Sequence, residues 1–272
     1  MAKAFSVASW NIEHFHGKAE RLSNVAAFLK AQSPDIFAIY EVSGSEVYGG
    51  MVTAFPGYSF HITEGDQTQE ILVGIRSNIT AFITQKIEFK SRDTFMRPGQ
   101  LVSVNKDGIN YSVLFLHLAS GTHPRGMGLR DQMLEKAVKF RRDLDKAYGG
   151  KDRANYIFMG DLNTMGLEYP YKNDITPGDE LKRWENRASR YYGMQLLEKT
   201  HELTWSNGSG SSYPDANLDH VFAAKHLAFK KFGGKPVDVR GWVNEDTPAK
   251  RDAWIGKYSD HSLLYFEVQK PS

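Results

Sequence analysis

Asparagine, glutamate, aspartate and histidine recur in this 272-residue chain at the ends of short apolar runs. The clusters are Trp10-Asn11-Ile12-Glu13, Tyr40-Glu41-Val42, Leu116-His117-Leu118, Gly160-Asp161-Leu162-Asn163 and Ser259-Asp260-His261. Carboxylates and amide carbonyls are oxygen ligands suited to a hard divalent cation such as Mg²⁺. Imidazole can give or take a proton near neutral pH. One acidic strand end is an ordinary polar turn, but this set points to a divalent-metal site with acid and base groups beside it. Rival chemistries lack their signatures: there is no Gly-x-x-x-x-Gly-Lys-Ser/Thr loop, no Gly-x-Ser-x-Gly elbow and no His-Glu-x-x-His pair. The chain has no cysteine, which excludes disulfides, thiolate zinc sites and a cysteine nucleophile.

The runs preceding these clusters (Phe5 to Ala8, Ile36 to Ile39, Val113 to Leu116, Tyr156 to Met159) are short and rich in β-branched or aromatic residues. They read as buried strands that turn polar at the end. In layered α/β folds the crevice beyond strand ends is where ligands bind, so such residues converge. Leu22, Val25, Ala26 and Leu29 predict a helix stopped by Ser33-Pro34, and Met133, Leu134, Ala137, Phe140 and Leu144 predict a longer one. Thr176-Pro177 predicts the start of a charged helix running towards Tyr192, and Asn105-Lys106-Asp107-Gly108 predicts a hairpin turn. Helix-linked strands mixed with hairpins imply mixed sheets with helices on their outer faces. With 41% hydrophobic residues the chain can bury a large core. Site residues drawn from both halves favour one domain over residues 1–272.

Glu41 caps a buried strand, where an acid needs a partner, which favours a cation ligand over a solvated surface acid, whereas Glu13 is the less secure of the two because it flanks Asn11. Asp161 and Asn163 share a face if strand geometry continues, so a carboxylate for metal or water would sit beside an amide that donates to an oxyanion. Asp219 lies in or at the start of the run Leu218 to Ala224, from which it could orient the ring of His261. His117 closes its own strand-like run. No stretch approaches the ~20 apolar residues that span a bilayer, and no apolar leader precedes the first strand. The expected location is cytoplasmic, or secreted if the chain starts at a mature N-terminus, and a monomer is expected.

Taken in order from Asn11 to His261, the clusters resemble the metal-dependent endonuclease/exonuclease/phosphatase superfamily. That group includes deoxyribonucleases, abasic-site endonucleases, neutral sphingomyelinases, inositol-polyphosphate phosphatases and deadenylases. The resemblance implies a four-layer α/β sandwich of two mixed sheets packed face to face, with helices outside and the active site at one edge. It implies that Glu41 is the principal Mg²⁺ or Mn²⁺ ligand, helped by Asn11 and Glu13, with Asp260 on the metal side. Asp161 and Asn163 would orient water and phosphate, and His261, held by Asp219, would contact the phosphate or act as base. His117 would stabilise phosphate or protonate the leaving group. Arg130 and Gln132, placed on the turn into the long helix, would support the site, with Arg130 among the substrate-binding residues.

The implied reaction is metal-assisted hydrolysis of a phosphodiester, and the favoured substrate is DNA with little sequence preference. Histidine at position 117 is similar to the deoxyribonuclease, sphingomyelinase and inositol phosphatase branches rather than the abasic-site enzymes. Asp219-His220, where inositol phosphatases carry Asp-Arg, counts against that branch, and no apolar membrane hairpin is evident. Basic residues at Arg183, Arg187 and Arg190, and at Lys225, Lys230, Lys231 and Lys235, are candidates to track a phosphate backbone, the alternative being a solvated charged face. A net charge of +2 is compatible with such a partner without requiring it. The alternative is a phosphomonoesterase or phospholipase of inositol-phosphate or sphingomyelin type using the same centre. A non-catalytic binding module is disfavoured by the intact residue set.

Overall fold

A computed structural model describes residues 2–64, 69–91, 93 and 96–270. The chain opens with β1 (Lys3–Phe15), α1 (Ala19–Gln32), β2 (Ile36–Val42), α2 (Ser45–Ala54), β3 (Tyr58–Ile62) and β4 (Glu70–Arg76). Next come β5 (Thr80–Lys86), β6 (Gly99–Lys106), β7 (Ile109–His117), α3 (Pro124–Ala147) and β8 (Asn155–Asp161). It closes with α4 (Pro177–Tyr192), β9 (Met194–Leu196), β10 (Asp219–Ala224), β11 (Asp238–Arg240), α5 (Pro248–Lys257) and β12 (Leu263–Gln269). The strands form two six-stranded sheets, ordered β11-β12-β1-β2-β4-β3 and β5-β6-β7-β8-β10-β9. Each sheet is mixed, with one parallel pair, β1/β2 or β7/β8, among antiparallel neighbours.

Alternation along the strands builds the layers. On β1, Phe5 and Val7 face the core between the sheets, while Ala8, Trp10 and Ile12 pack against the helices outside. On β8, Ile157 and Met159 point into the inter-sheet core, while Tyr156 and Phe158 pack with Met133, Leu134 and Ala137 of α3 and Trp184 and Ala188 of α4. Both faces of the central strands are therefore buried, whereas the edge strands β3 and β5 stay partly exposed. That explains why the strands read as continuous apolar runs instead of alternating ones. The result is helix, sheet, sheet, helix, the sandwich that the resemblance implied.

The expected helix stops and turns are present. Ser33 ends α1 in the left-handed region, and the Thr176 hydroxyl accepts the Asp179 N–H to cap α4. Asp107 and Gly108, at φ 53° and 80°, make the two-residue β6–β7 hairpin. The helices α2 and α5 and the short strands β9 and β11 had no counterpart in the sequence reading. The ten-residue α2 carries Gly49 and Gly50 and is held by the burial of Val47 and Met51, so packing overrides poor helix propensity.

Candidate active site

Register lines up one half of the site. His117 pairs with Asp161 across the parallel β7/β8 ladder, and Asp219 pairs with Asp161 across the antiparallel β8/β10 ladder. Three side chains that are far apart in sequence thus stand in a row at one edge of the second sheet. Gly160 permits the row: at φ 139°, a Cβ there would lie 1.9 Å from the Leu116 carbonyl oxygen. In the first sheet Asn11 pairs with Tyr40, which places Glu41 just beyond the same edge.

Asn11 joins the two halves. Its amide nitrogen donates to Asp161 Oδ2 at 2.9 Å and to Glu41 Oε1 at 3.1 Å, and its carbonyl oxygen accepts the Glu13 N–H. Glu41 sits at φ 63° and accepts the His14 N–H at 2.8 Å through its other oxygen. The His117 Nε2 atom lies 3.6 Å from Asp161 and 3.7 Å from Glu41. His261 is oriented by Asp219, whose Oδ2 is 2.8 Å from Nδ1, and its Nε2 faces Asp161 at 3.9 Å and Asp260 at 4.0 Å. The segment carrying Asp260 and His261 is fixed by indole N–H groups. Trp205 donates to the Asp260 carboxylate, Trp242 to its carbonyl and Trp10 to the His261 carbonyl.

The electrostatics follow from packing several acids in a buried pocket. Burial, with the negative charges of Asp219 and Glu41, pushes Asp161 up to about 7 against the pull of His261 and the Asn11 hydrogen bond. Burial works against a charged His261, but the charge and hydrogen bond of Asp219, with Asp161 and Asp260 adding, raise it to about 10. His117 is driven the other way: burial, then the positive charges of Arg97, His261 and His14, hold it well below the usual histidine value. One imidazole is thus held as the cation and the other neutral. Glu13 is raised, first by burial and next by Asp260, with Glu41 contributing.

The crowding of Glu13, Glu41 and Asp260 is the donor chemistry that a hard divalent cation would relieve. Among the described residues no three His, Asp or Glu side chains converge as a ready-made metal cage. Mg²⁺ needs none, since it commonly takes one or two carboxylates and completes its shell with water and substrate oxygens. Asn11 turns N–H groups, not its carbonyl, towards both carboxylates, so in this geometry it positions Glu41 and Asp161.

Three expectations are corrected. Strand geometry does not continue to Asn163: β8 ends at Asp161 and Asn163 adopts φ 49°. Its backbone N–H caps Asp161 Oδ1 at 3.0 Å and its amide donates to the Leu118 carbonyl at 3.1 Å. Arg130 is not on a turn at the substrate face. It lies within α3, fully buried, bound to Glu180 and to the carbonyls of Ala119, Gly121 and Gly166, while Gln132 is exposed. Much of the basic series is committed elsewhere. Arg183 pairs with Asp131, Arg187 with Glu135, Lys230 with Glu267 and Lys235 with Glu198.

The sequence reading missed Arg97 and the backbone contribution of His14. The half-buried Arg97 feels the charges of Glu41 and Asp161, with burial lowering its pKa first. It donates to Gln69, which in turn bonds His14. Its neighbours offer no apolar run that ends in a polar residue, so no pattern marked it.

Two mixed sheets face to face, with carboxylates, an amide and imidazoles meeting at one edge, define a phosphoesterase of the four-layer sandwich class. The endonuclease/exonuclease/phosphatase family model matches residues 8–261, and the chain belongs to that family of phosphoester hydrolases. No curated protein sequence matches it. Among solved structures it is similar to truncated Caenorhabditis elegans TDP2, at 17% identity over 98% of each chain and TM-score 0.67. D. rerio TDP2 complexed with single strand DNA product is 17% identical over 98% of this chain and 99% of that one, at TM-score 0.69. The human Nocturnin catalytic domain with bound sulfate is 13% identical over 98% and 93%, at TM-score 0.62. At these identities the likeness establishes the fold.

Proposed function

We propose that this chain, acting as one domain over residues 1–272, is a Mg²⁺- or Mn²⁺-dependent phosphodiesterase that cleaves nucleic acid, with DNA favoured. The observation that carries the chemistry is the convergence on Asp161. Asn11 of the opposite sheet lies at 2.9 Å, His117 at 3.6 Å and His261 at 3.9 Å. DNA is favoured because a relative of the same fold was captured with a single-strand DNA product. Among the described residues no helix is long and apolar enough to cross a membrane.

In this reading Glu41, with Glu13 and Asp260, would hold the cation, and Asn11 keeps Glu41 and Asp161 in place. A cation bound there would supply charge neutralisation for the phosphate oxygens. Asp161, braced by the Asn163 backbone, orients the attacking water. The proton released passes to the Asp161/His261 pair, whose members titrate together. Asp219 fixes the His261 ring so that Nε2 faces the phosphate position, and neutral His117 donates an N–H to a phosphate or leaving-group oxygen.

The test is a panel of plasmid DNA, single-stranded oligonucleotide, RNA, inositol phosphate and sphingomyelin vesicles, each with Mg²⁺ and with EDTA. Metal-restored cleavage of DNA is expected, and full activity in EDTA would overturn the metal assignment. Glu41→Gln keeps side-chain volume and removes one charge, so Mg²⁺ affinity measured by calorimetry should fall about tenfold or more with the melting curve preserved. Undiminished affinity would reassign the ligand.

A further inference from the structure

We propose that His14 and His16 form a stacking subsite for an unpaired base next to the scissile phosphate, with Lys18 and Lys257 receiving the adjoining phosphate. The subsite rests on the nuclease reading above and names its substrate as a single strand or a frayed end. A cavity of about 860 Å³ opens beside Glu13 and His14 and runs to Asn207 and the end of α5. Both rings line it, their planes within 13° of parallel and their centroids 6.5 Å apart. That is near the outer limit for two rings stacking on each other, about 7 Å. His16, exposed and near-parallel to His14, offers a base entering the cavity a ring to stack on.

The pair is continuous with the reaction centre, because His14 Nδ1 lies 3.2 Å from Glu41 Oε2. The His16 side chain is exposed and makes no hydrogen bond among the described residues, so its ring has no structural task in the fold. The cations around the cavity differ from the basic groups on α4. Arg21 is occupied by the Ile12, Glu13 and Tyr258 carbonyls, whereas Lys18 and Lys257 form no ion pair among the described residues, Lys257 lying over the Tyr258 ring at 5.1 Å. Glu13 and Glu20 also line the space, and Glu13 faces the metal side. Base–aromatic stacking tolerates any base, and a base held in a duplex is not free to enter, so the geometry selects unpaired strands without reading sequence.

The experiment compares the selectivity ratio of wild type with that of His16→Ala, His16→Phe and the Lys18→Ala/Lys257→Ala double variant. The ratio is kcat/KM for a single-stranded oligodeoxynucleotide divided by kcat/KM for methyl p-nitrophenyl phosphate, which carries no base. His16→Ala should lower it about tenfold, through KM, and His16→Phe should restore it to within about threefold. The double lysine variant should flatten the salt dependence of oligonucleotide binding by about two contacts. An unchanged ratio in His16→Ala, with the oligonucleotide still cleaved, would defeat the subsite and leave the nuclease reading standing. Phosphate or headgroup release from an inositol phosphate or lipid, with every oligonucleotide intact, would overturn both.

Discussion

Asp219 and His261 form a hydrogen-bonded pair, 2.8 Å long and shut off from solvent, and among the described residues Nδ1 of that ring has no other hydrogen-bond partner. Asp219→Asn would keep the shape but lose the charge that raises His261, leaving a ring that is neutral and free to choose the wrong tautomer. We expect Asp219→Asn and His261→Ala each to lower kcat/KM by roughly 10²–10⁴-fold, the range for positioned proton transfer. The double variant should lose little more, because groups that act as a unit are not additive. Losses that multiply in the double variant would show two separate tasks. Both residues were legible in the sequence, since each stands beside an apolar strand. Asn163 was legible as a neighbour of Asp161 but not in its geometry, because a run of letters does not reveal where the backbone turns left-handed.

At the level of elements, the topology repeats a unit that the sequence does not. Both β1-α1-β2 and β7-α3-β8 are parallel pairs joined by a helix, and each ends its strands in the site: Asn11 and Glu41 in one, His117 and Asp161 in the other. Parallel strands deliver their ends to the same edge, so two such units stacked face to face bring four functional side chains together. The loop after Asp161 is then pinned from behind. Arg130 of α3 and Glu180 of α4, both fully buried, bind each other at 3.0 Å and grip Gly166 through its carbonyl and its N–H. Removing one partner leaves an uncompensated charge, so Arg130→Met should cost about 3–5 kcal/mol in urea unfolding. Arg130→Met combined with Glu180→Leu should recover only part of that loss, because the carbonyls of Ala119, Gly121 and Gly166 and the Gly166 N–H would still lack their partners. A single variant that unfolds like wild type would show that the pair holds nothing. Arg130 could not be placed from sequence because its partner lies 50 residues on, and an arginine on an amphipathic helix reads as solvated or functional. Short elements such as β9 and β11 were unreadable because three residues carry no period.

For the molecule as a whole, the distribution of charge matters more than the total of +2. Counterion release requires cations that exchange their counterions for nucleic-acid phosphates, and a cation already held by a carboxylate has little to release. Arg183 and Arg187 are bound to Asp131 and Glu135 across the α3/α4 surface, and Arg190 lies over the Tyr191 ring. Charge patterning in the sequence marked these residues as a backbone track, and only the folded pairing shows where the charges go. Because two of the three are held by carboxylates, replacing all three with alanine should change the salt slope of oligonucleotide binding by no more than about one contact. It should lower stability by no more than about 1 kcal/mol per broken pair, the upper range for exposed ion pairs. Binding measured by fluorescence anisotropy from 50 to 300 mM salt, roughly the range over which phosphate contacts are resolved, checks this. A slope that falls by about three contacts in the triple variant would return the nucleic acid to the α4 face and remove it from the cavity beside Glu13.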